Sequence, residues 1–295
     1  MNLIIRNIIG LALLAVPLAA CSTPSVVKDI FGDRSTSTNA ASSGGALSPD
    51  LTGAGAGDPV AGLYNAGLDQ LNSGSYKSAA KSFAEVERQH PYSKWATKAL
   101  LMQAFANYQR NSYEDAINAA NRFITLHPGH KDSSYAYYLA ALSQYEQISD
   151  VRRDQSATKK ALEALDEVSK RFPESPYAAD AAKKSVKAKD HLAAKEMEVG
   201  RYYLKKGSYL AGINRFKTVV TDYQMTTQVP EALYRLAEGY MALGVVSEAQ
   251  TAAAVLGHNY PDSQWYRDAY TLVSSDGKQP VEDQGSWLSR VFKGA

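Results

Sequence analysis

Pro91-Tyr-Ser-Lys-Trp95, Pro173-Glu-Ser-Pro-Tyr177 and Pro261-Asp-Ser-Gln-Trp265 are near-copies of one turn, and each follows an aromatic or imidazole residue: His90, Phe172 or Tyr260. His127-Pro128 repeats the opening of that turn, and Tyr223-Gln224 is a degenerate copy, which makes five unit ends. Proline has no backbone N–H and cannot continue a helix. Ser93, Ser175 and Ser263 follow two residues behind three of the prolines, where a serine oxygen can cap the next helix. Each proline therefore stops one helix as a serine starts another.

Working inward from these ends, Gly74-Ser75-Tyr76, Asn111-Ser112-Tyr113 and Gly207-Ser208-Tyr209 mark a second, tighter turn inside the units. Glycine and asparagine tolerate the left-handed backbone that such a turn needs. Small residues then recur at one depth: Ala79, Ala116, Ala161, Gly212 and Ala249 each stand 12 residues before Pro91, Pro128, Pro173, Gln224 and Pro261. Small side chains let two helices approach closely. In the fifth unit Leu233, Leu236, Ala237, Tyr240, Ala249, Leu256 and Pro261 fill the slots of a tetratricopeptide unit. The pattern predicts helices near 178–206, 208–222, 230–243 and 246–258. The fold class expected for residues 58–273 is all-α, a superhelical solenoid of about five tetratricopeptide-like helical hairpins. The third unit carries an extra stretch, Ser149-Asp-Val-Arg-Arg-Asp-Gln-Ser156, expected to be an exposed loop or a helix extension.

Outside the repeats the chain changes character. Residues 1–20 read as a signal peptide, with Arg6, an apolar run from Ile8 through Val16, and Leu18-Ala19-Ala20 before Cys21. The apolar run is shorter than the ~20 residues that span a bilayer. We read a lipobox, with cleavage before Cys21 and N-acyl and S-diacylglycerol lipid on that cysteine. The alternatives are an ordinary signal peptide with an accidental cysteine, or an uncleaved anchor. Ser22 in place of an aspartate favours the periplasmic face of the outer membrane. Residues 21–57, rich in Ser, Thr, Gly and Ala, form a lipidated linker that cannot build a core; as a coil of about 36 residues it spans roughly 30 to 35 Å. Residues 274–295 form a polar tail in which Trp287, Leu288, Val291 and Phe292 share one face of a short helix. That face could dock on the body, a partner or lipid, or the end could fray.

Composition narrows the function. The 32 basic and 30 acidic residues are spread along the chain and leave a net charge of +2, without the long basic stripe that grips nucleic acid. The single cysteine excludes an intramolecular disulfide and, once acylated, leaves no thiol nucleophile. No phosphate loop, serine elbow or zinc-protease motif appears, so no enzyme and no cofactor beyond the Cys21 lipid is expected. The close pair His127-Pro-Gly-His130 reads as packing rather than a metal site, because His127 and His90 occupy the slot of Phe172 and Tyr260. Glu85 and Glu87, Glu196 and Glu198, the lysines at 183, 184, 187 and 189, and Arg152-Arg153 read as wet helix faces.

Asn121-Arg-Phe-Ile-Thr-Leu-His-Pro128, Phe172-Pro-Glu-Ser-Pro-Tyr177, Lys189-Asp-His-Leu-Ala193, Tyr202-Tyr203 and Ile213-Asn-Arg-Phe216 give the chain its family likeness. Over roughly 60–270, and at Cys21, it resembles the BamD family, lipoproteins of the bacterial outer-membrane β-barrel assembly machinery. The resemblance implies a scaffold whose amino-terminal repeats receive unfolded outer-membrane protein precursors. Its carboxy-terminal repeats would hold the POTRA domains of the barrel subunit, beside other assembly-complex lipoproteins. It assigns Arg215, in the Asn-Arg pair of the fourth repeat, to the barrel-subunit contact. The long spacer and the Trp287 tail depart from the family pattern. A tetratricopeptide lipoprotein serving cell-wall synthesis or division is the alternative binding module, and a wall hydrolase the alternative enzyme.

Overall fold

The structure, a computed structural model, describes residues 59–275 and 277–293. The expectations for the signal peptide, Cys21 and the linker lie outside the described residues. Among the described residues there are twelve helices and no strand: α1 (Pro59–Asn72), α2 (Tyr76–Gln89), α3 (Lys94–Gln109), α4 (Tyr113–Leu126), α5 (Ser133–Tyr145), α6 (Ser156–Arg171), α7 (Ala178–Lys205), α8 (Tyr209–Asp222), α9 (Val229–Ala242), α10 (Val246–Asn259), α11 (Gln264–Ser275) and α12 (Trp287–Lys293). Each helix from α1 to α10 packs on the next, giving five tetratricopeptide-like hairpins, with α11 laid against α9 and α10. None of these helices is long and apolar enough to cross a membrane.

The turns inside the hairpins follow from residue type. Gly74, Asn111, Gly207 and Gly244 have φ of 76°, 62°, 72° and 73°, the left-handed region that favours glycine and tolerates asparagine. The third hairpin uses another device. Its inserted stretch is a loop whose Gln155, 8% exposed, sends its amide nitrogen to the carbonyls of Val151 (3.1 Å) and Arg153 (3.0 Å) while its amide oxygen accepts from Thr158 (3.0 Å). The insertion is thus an internally bonded loop, not merely a solvated one, because a buried amide must satisfy its own donors and acceptor.

Two of the three expected serine caps form. Ser93 Oγ accepts from the Ala96 amide and Ser263 Oγ from the Tyr266 amide, both at 3.1 Å. Ser175 does not cap: the turn runs on through Tyr177, α7 starts only at Ala178, and the buried Ser175 hydroxyl has no hydrogen-bond partner.

Small residues set the hairpin crossings. Ala79, Ala116, Ala161 and Ala249 are fully buried. A Cβ at Gly212 would lie 3.2 Å from the Gly200 carbonyl, so the register read from the sequence places a glycine where the backbones of α7 and α8 come close. The array also carries a longer period. Gly67 to Gly200, Gly74 to Gly207, Phe83 to Phe216 and Asn111 to Gly244 are all intervals of 133 residues, and α2 and α4 displaced by that interval coincide end to end with α8 and α10. The first two hairpins and the last two are therefore equivalent frames.

Candidate functional site

Arg215 stands on α8, whose Ile213, Phe216, Val219 and Val220 face the core. Phe216 is seated against Gly200 of α7, and this seating turns Asn214 and Arg215 outward. The Arg215 guanidinium meets Glu196 of α7 through Nη1 at 3.1 Å and is 46% exposed. An exposed pair of that kind contributes about 0 to 1 kcal/mol. Arg215 is therefore held in place without being committed to the fold.

The neighbouring arginines are bound differently. Arg201 bridges Glu198 (2.5 Å) and Glu231 (3.0 Å), and Arg235 bridges Glu231 (3.3 Å) and Glu238 (2.8 Å), an ion-pair ladder across α7 and α9. Burial works against the charge on both arginines, yet the hydrogen bonds and charges of these glutamates outweigh it and raise both guanidinium pKa values. Arg235 also lies over the rings of Tyr234 and Trp265, 5.0 and 5.6 Å from their centroids. Sequence reading missed this ladder, although the three- and four-residue spacings of Glu198 to Arg201, Glu231 to Arg235 and Arg235 to Glu238 are its signal.

The acid pairs read as solvated charge are part-exposed, and each also holds an arginine. Glu85 holds Arg88, Glu87 holds Arg122 at 2.8 Å, and Glu196 and Glu198 hold Arg215 and Arg201. Hydrogen bonds from Arg88 and Gln89 take the Glu85 carboxyl down to about 2. In the basic cluster Lys184 pairs with Asp180 at 2.6 Å and Lys189 lies 3.8 Å from Asp166.

A second feature lies at the amino-terminal end. A cleft of about 510 Å³ opens over α2, α3 and α4, floored by Ala80, Ala84, Leu100 and Ala119. Its rim carries Lys77, Lys81, Arg110 and Arg122 against one carboxylate, Asp115, which Arg110 binds at 2.7 Å; Gln103, Asn107 and Asn118 add amide donors and acceptors. Small floor residues admit a main chain, the amides can pair with it, and Lys77 and Lys81 favour an anionic group, since Arg110 is held by Asp115 and Arg122 by Glu87. His127 and His130 stand apart, packed on Phe123 with ring centroids at 5.4 Å. Among the described residues no three His, Cys, Asp or Glu side chains are grouped to hold a metal ion.

The carboxy-terminal segment folds back on the fourth and fifth hairpins. Leu288 is fully buried in their core, Trp287 Nε1 donates to the Tyr240 hydroxyl at 3.1 Å, and Lys217 lies 4.3 Å from the centre of the Trp287 ring. Of the options left open for the tail, the structure shows docking on the body.

The family described as "YfiO: Outer membrane lipoprotein" matches residues 57–256, more than half of the chain and all of the hairpins but the last turn of α10. The chain belongs to that family. An outer membrane protein assembly factor BamD from Caulobacter vibrioides is 49% identical over 223 residues, covering 76% of this chain and 73% of its own. A protein of the same name from Rickettsia prowazekii is 47% identical, covering 74% of this chain and 86% of its own. One from Neisseria meningitidis is 36% identical, covering 70% and 82%. Within the YfiO frame, Arg215 and the amino-terminal cleft fall inside the matched range, whereas α11 and the docked tail lie beyond it.

Proposed function

We propose that this chain is an outer-membrane protein assembly factor, tethered to the periplasmic face of the outer membrane by lipid on Cys21. It works as a scaffold and catalyses no reaction. Its amino-terminal cleft receives an extended, anionic-ended segment of an unfolded outer-membrane protein precursor, and Arg215 anchors the POTRA domains of the barrel subunit at the other end. The support for the first contact is the chemistry of the cleft, with cations and amides over an alanine floor. The observation that carries the second is the state of Arg215, exposed and held by one surface ion pair while Arg201 and Arg235 are locked in the ladder. Exchanging Glu196 for a partner carboxylate or carbonyl costs little, and a forked guanidinium bond is gained.

The test is a pull-down of the barrel subunit from detergent extracts with wild-type chain and with Arg215→Glu. Recovery should fall at least tenfold with the variant while its circular dichroism stays that of the wild type. Undiminished recovery removes Arg215 from the contact, and recovery of wall synthases in place of the barrel subunit overturns the assembly role.

A further inference from the structure

The interval of 133 residues that relates the two ends of the array also relates their grooves. Ala84, Asn107, Asp115 and Asn118 line the open cleft over α2, α3 and α4. Displaced by 133 they become Lys217, Tyr240, Glu248 and Thr251, and all four touch the tail. Lys217 lies over the Trp287 ring, Tyr240 accepts from the Trp287 indole, Glu248 accepts from the Ser286 hydroxyl at 2.8 Å, and Thr251 accepts from the Asp283 amide at 3.0 Å. Gln250 adds a bond to the Gln279 carbonyl at 2.7 Å.

We propose that the groove over α8, α9 and α10 is a segment-binding site, that residues 279–293 are its tethered ligand, and that a partner segment of the same chemistry takes the site by displacing them. The chemistry is given by the occupant: an aromatic ring for Lys217 and Tyr240, a hydroxyl before it for Glu248, and an aliphatic residue after it for the pocket of Leu288. Three features separate this docking from ordinary core packing. The segment is joined to α11 by an irregular stretch, residues 277–286. Its helix has seven residues, too few to persist without the groove. Beside the burial of Leu288, its polar groups are met one by one, each by a single side chain: Trp287 by Tyr240, Ser286 by Glu248, Asp283 by Thr251 and Gln279 by Gln250. Tethering gives the tail an effective concentration in the millimolar range, so a free competitor must be strong or must be delivered locally. The proposal does not rest on the assignment of Arg215.

The probe is a fluorescent synthetic peptide of residues 279–293, titrated by anisotropy into the full chain. Trp287→Ala/Leu288→Ala in the chain empties the groove and should bind the peptide at least tenfold more tightly than the wild-type chain, whose own tail competes. A peptide carrying Trp287→Ala should not bind the emptied chain, and adding Lys217→Glu to that chain should weaken it toward the wild-type peptide. Equal affinity of wild-type and emptied chains overturns the proposal, as does absence of binding to an emptied chain of unchanged helicity. Should the emptied chain fail to fold, hydrogen exchange on the wild-type chain decides: amides of 287–292 should exchange at least tenfold faster than the interior amides of α10, because the tail opens without the hairpin. Equal rates make the tail a fixed part of the core and overturn the proposal.

Discussion

Gly200→Ala tests the closest approach of two helices in the fourth hairpin. A Cβ at residue 200 would lie 2.4 Å from Phe216 Cε1 and 2.6 Å from Cζ, and the Phe216 ring is fully buried with no room to withdraw. Overpacking of this kind costs about 1 to 3 kcal/mol. Alanine in place of glycine inside a helix returns about 1 kcal/mol, so the net loss should be about 0 to 2 kcal/mol, a value too close to zero to be decisive alone. The decisive quantity is the coupling. In a Phe216→Leu background the two closest ring atoms are gone, only the helix-propensity gain survives, and Gly200→Ala should stabilise by up to about 1 kcal/mol. The cycle should thus give a coupling of about 1 to 3 kcal/mol, within the range for residues in contact. Urea unfolding followed by circular dichroism, on non-lipidated chain beginning after Cys21, measures it. Gly257→Ala is the control: its Cβ would come as near the ring of Tyr266, 2.4 Å, but that ring is partly exposed near the start of α11 and can swing outward, so this change should be neutral or stabilising. Equal effects of Gly200→Ala in both backgrounds would refute the seating of Phe216 on Gly200.

Ala249→Trp should cost about 1 to 3 kcal/mol, since Ala249 is fully buried where α9 and α10 meet; an unchanged melting temperature would show that the fifth hairpin is out of register. Asp180 gives a pH signature. Burial opposes its charge, but hydrogen bonds from Lys184 and from Tyr138 prevail and hold its carboxyl below the ordinary 3.8. A depressed carboxylate stabilises the fold fully above its unfolded value and loses that stabilisation as pH falls through its folded value. Wild-type chain should therefore melt higher than Asp180→Asn at pH 7, and the gap should start to narrow as pH falls below about 4 and close only below the depressed folded-state value; a gap that does not narrow at all on acidification would mean the contacts do not depend on the charge.

Hairpin register was legible in the sequence because it depends on local signals. A proline ends a helix, a glycine turns left-handed, and a small residue recurs at one depth wherever backbones come close. For that reason helices expected near 208–222 and 246–258 occur at 209–222 and 246–259. Ser175 misled because the cap signal is shared with Ser93 and Ser263, whereas its turn runs two residues longer, as does the turn before Val229, and α7 starts only at Ala178. The ladder through Arg201 and Arg235 was hidden because the one pair that joins its halves, Arg201 to Glu231, crosses between α7 and α9, thirty residues apart in the chain. The tail's destination was hidden for the same reason. Its apolar face was visible at Trp287 and Leu288, but Lys217, Tyr240, Glu248 and Thr251 come together only after the hairpins stack.

That stacking explains how one array can carry two different surfaces. In a tandem-repeat fold stability comes from each hairpin and its immediate neighbours, so the residues held constant between the two ends are the ones inside: Gly67 and Gly200 beneath Phe83 and Phe216, Gly74 and Gly207 in the turns. Groove positions carry no such constraint. Ala84 answers to Lys217, Asn107 to Tyr240 and Arg110 to Leu243, so an alanine-floored cleft rimmed by Lys77, Lys81 and Arg110 at one end becomes a groove with a lysine, an aromatic ring and a leucine at the other. Substitutions at the first class should lower stability before they alter binding, and substitutions at the second should alter binding at constant stability. The same backbone is thereby free to present a cationic cleft to one guest and an aromatic groove to another.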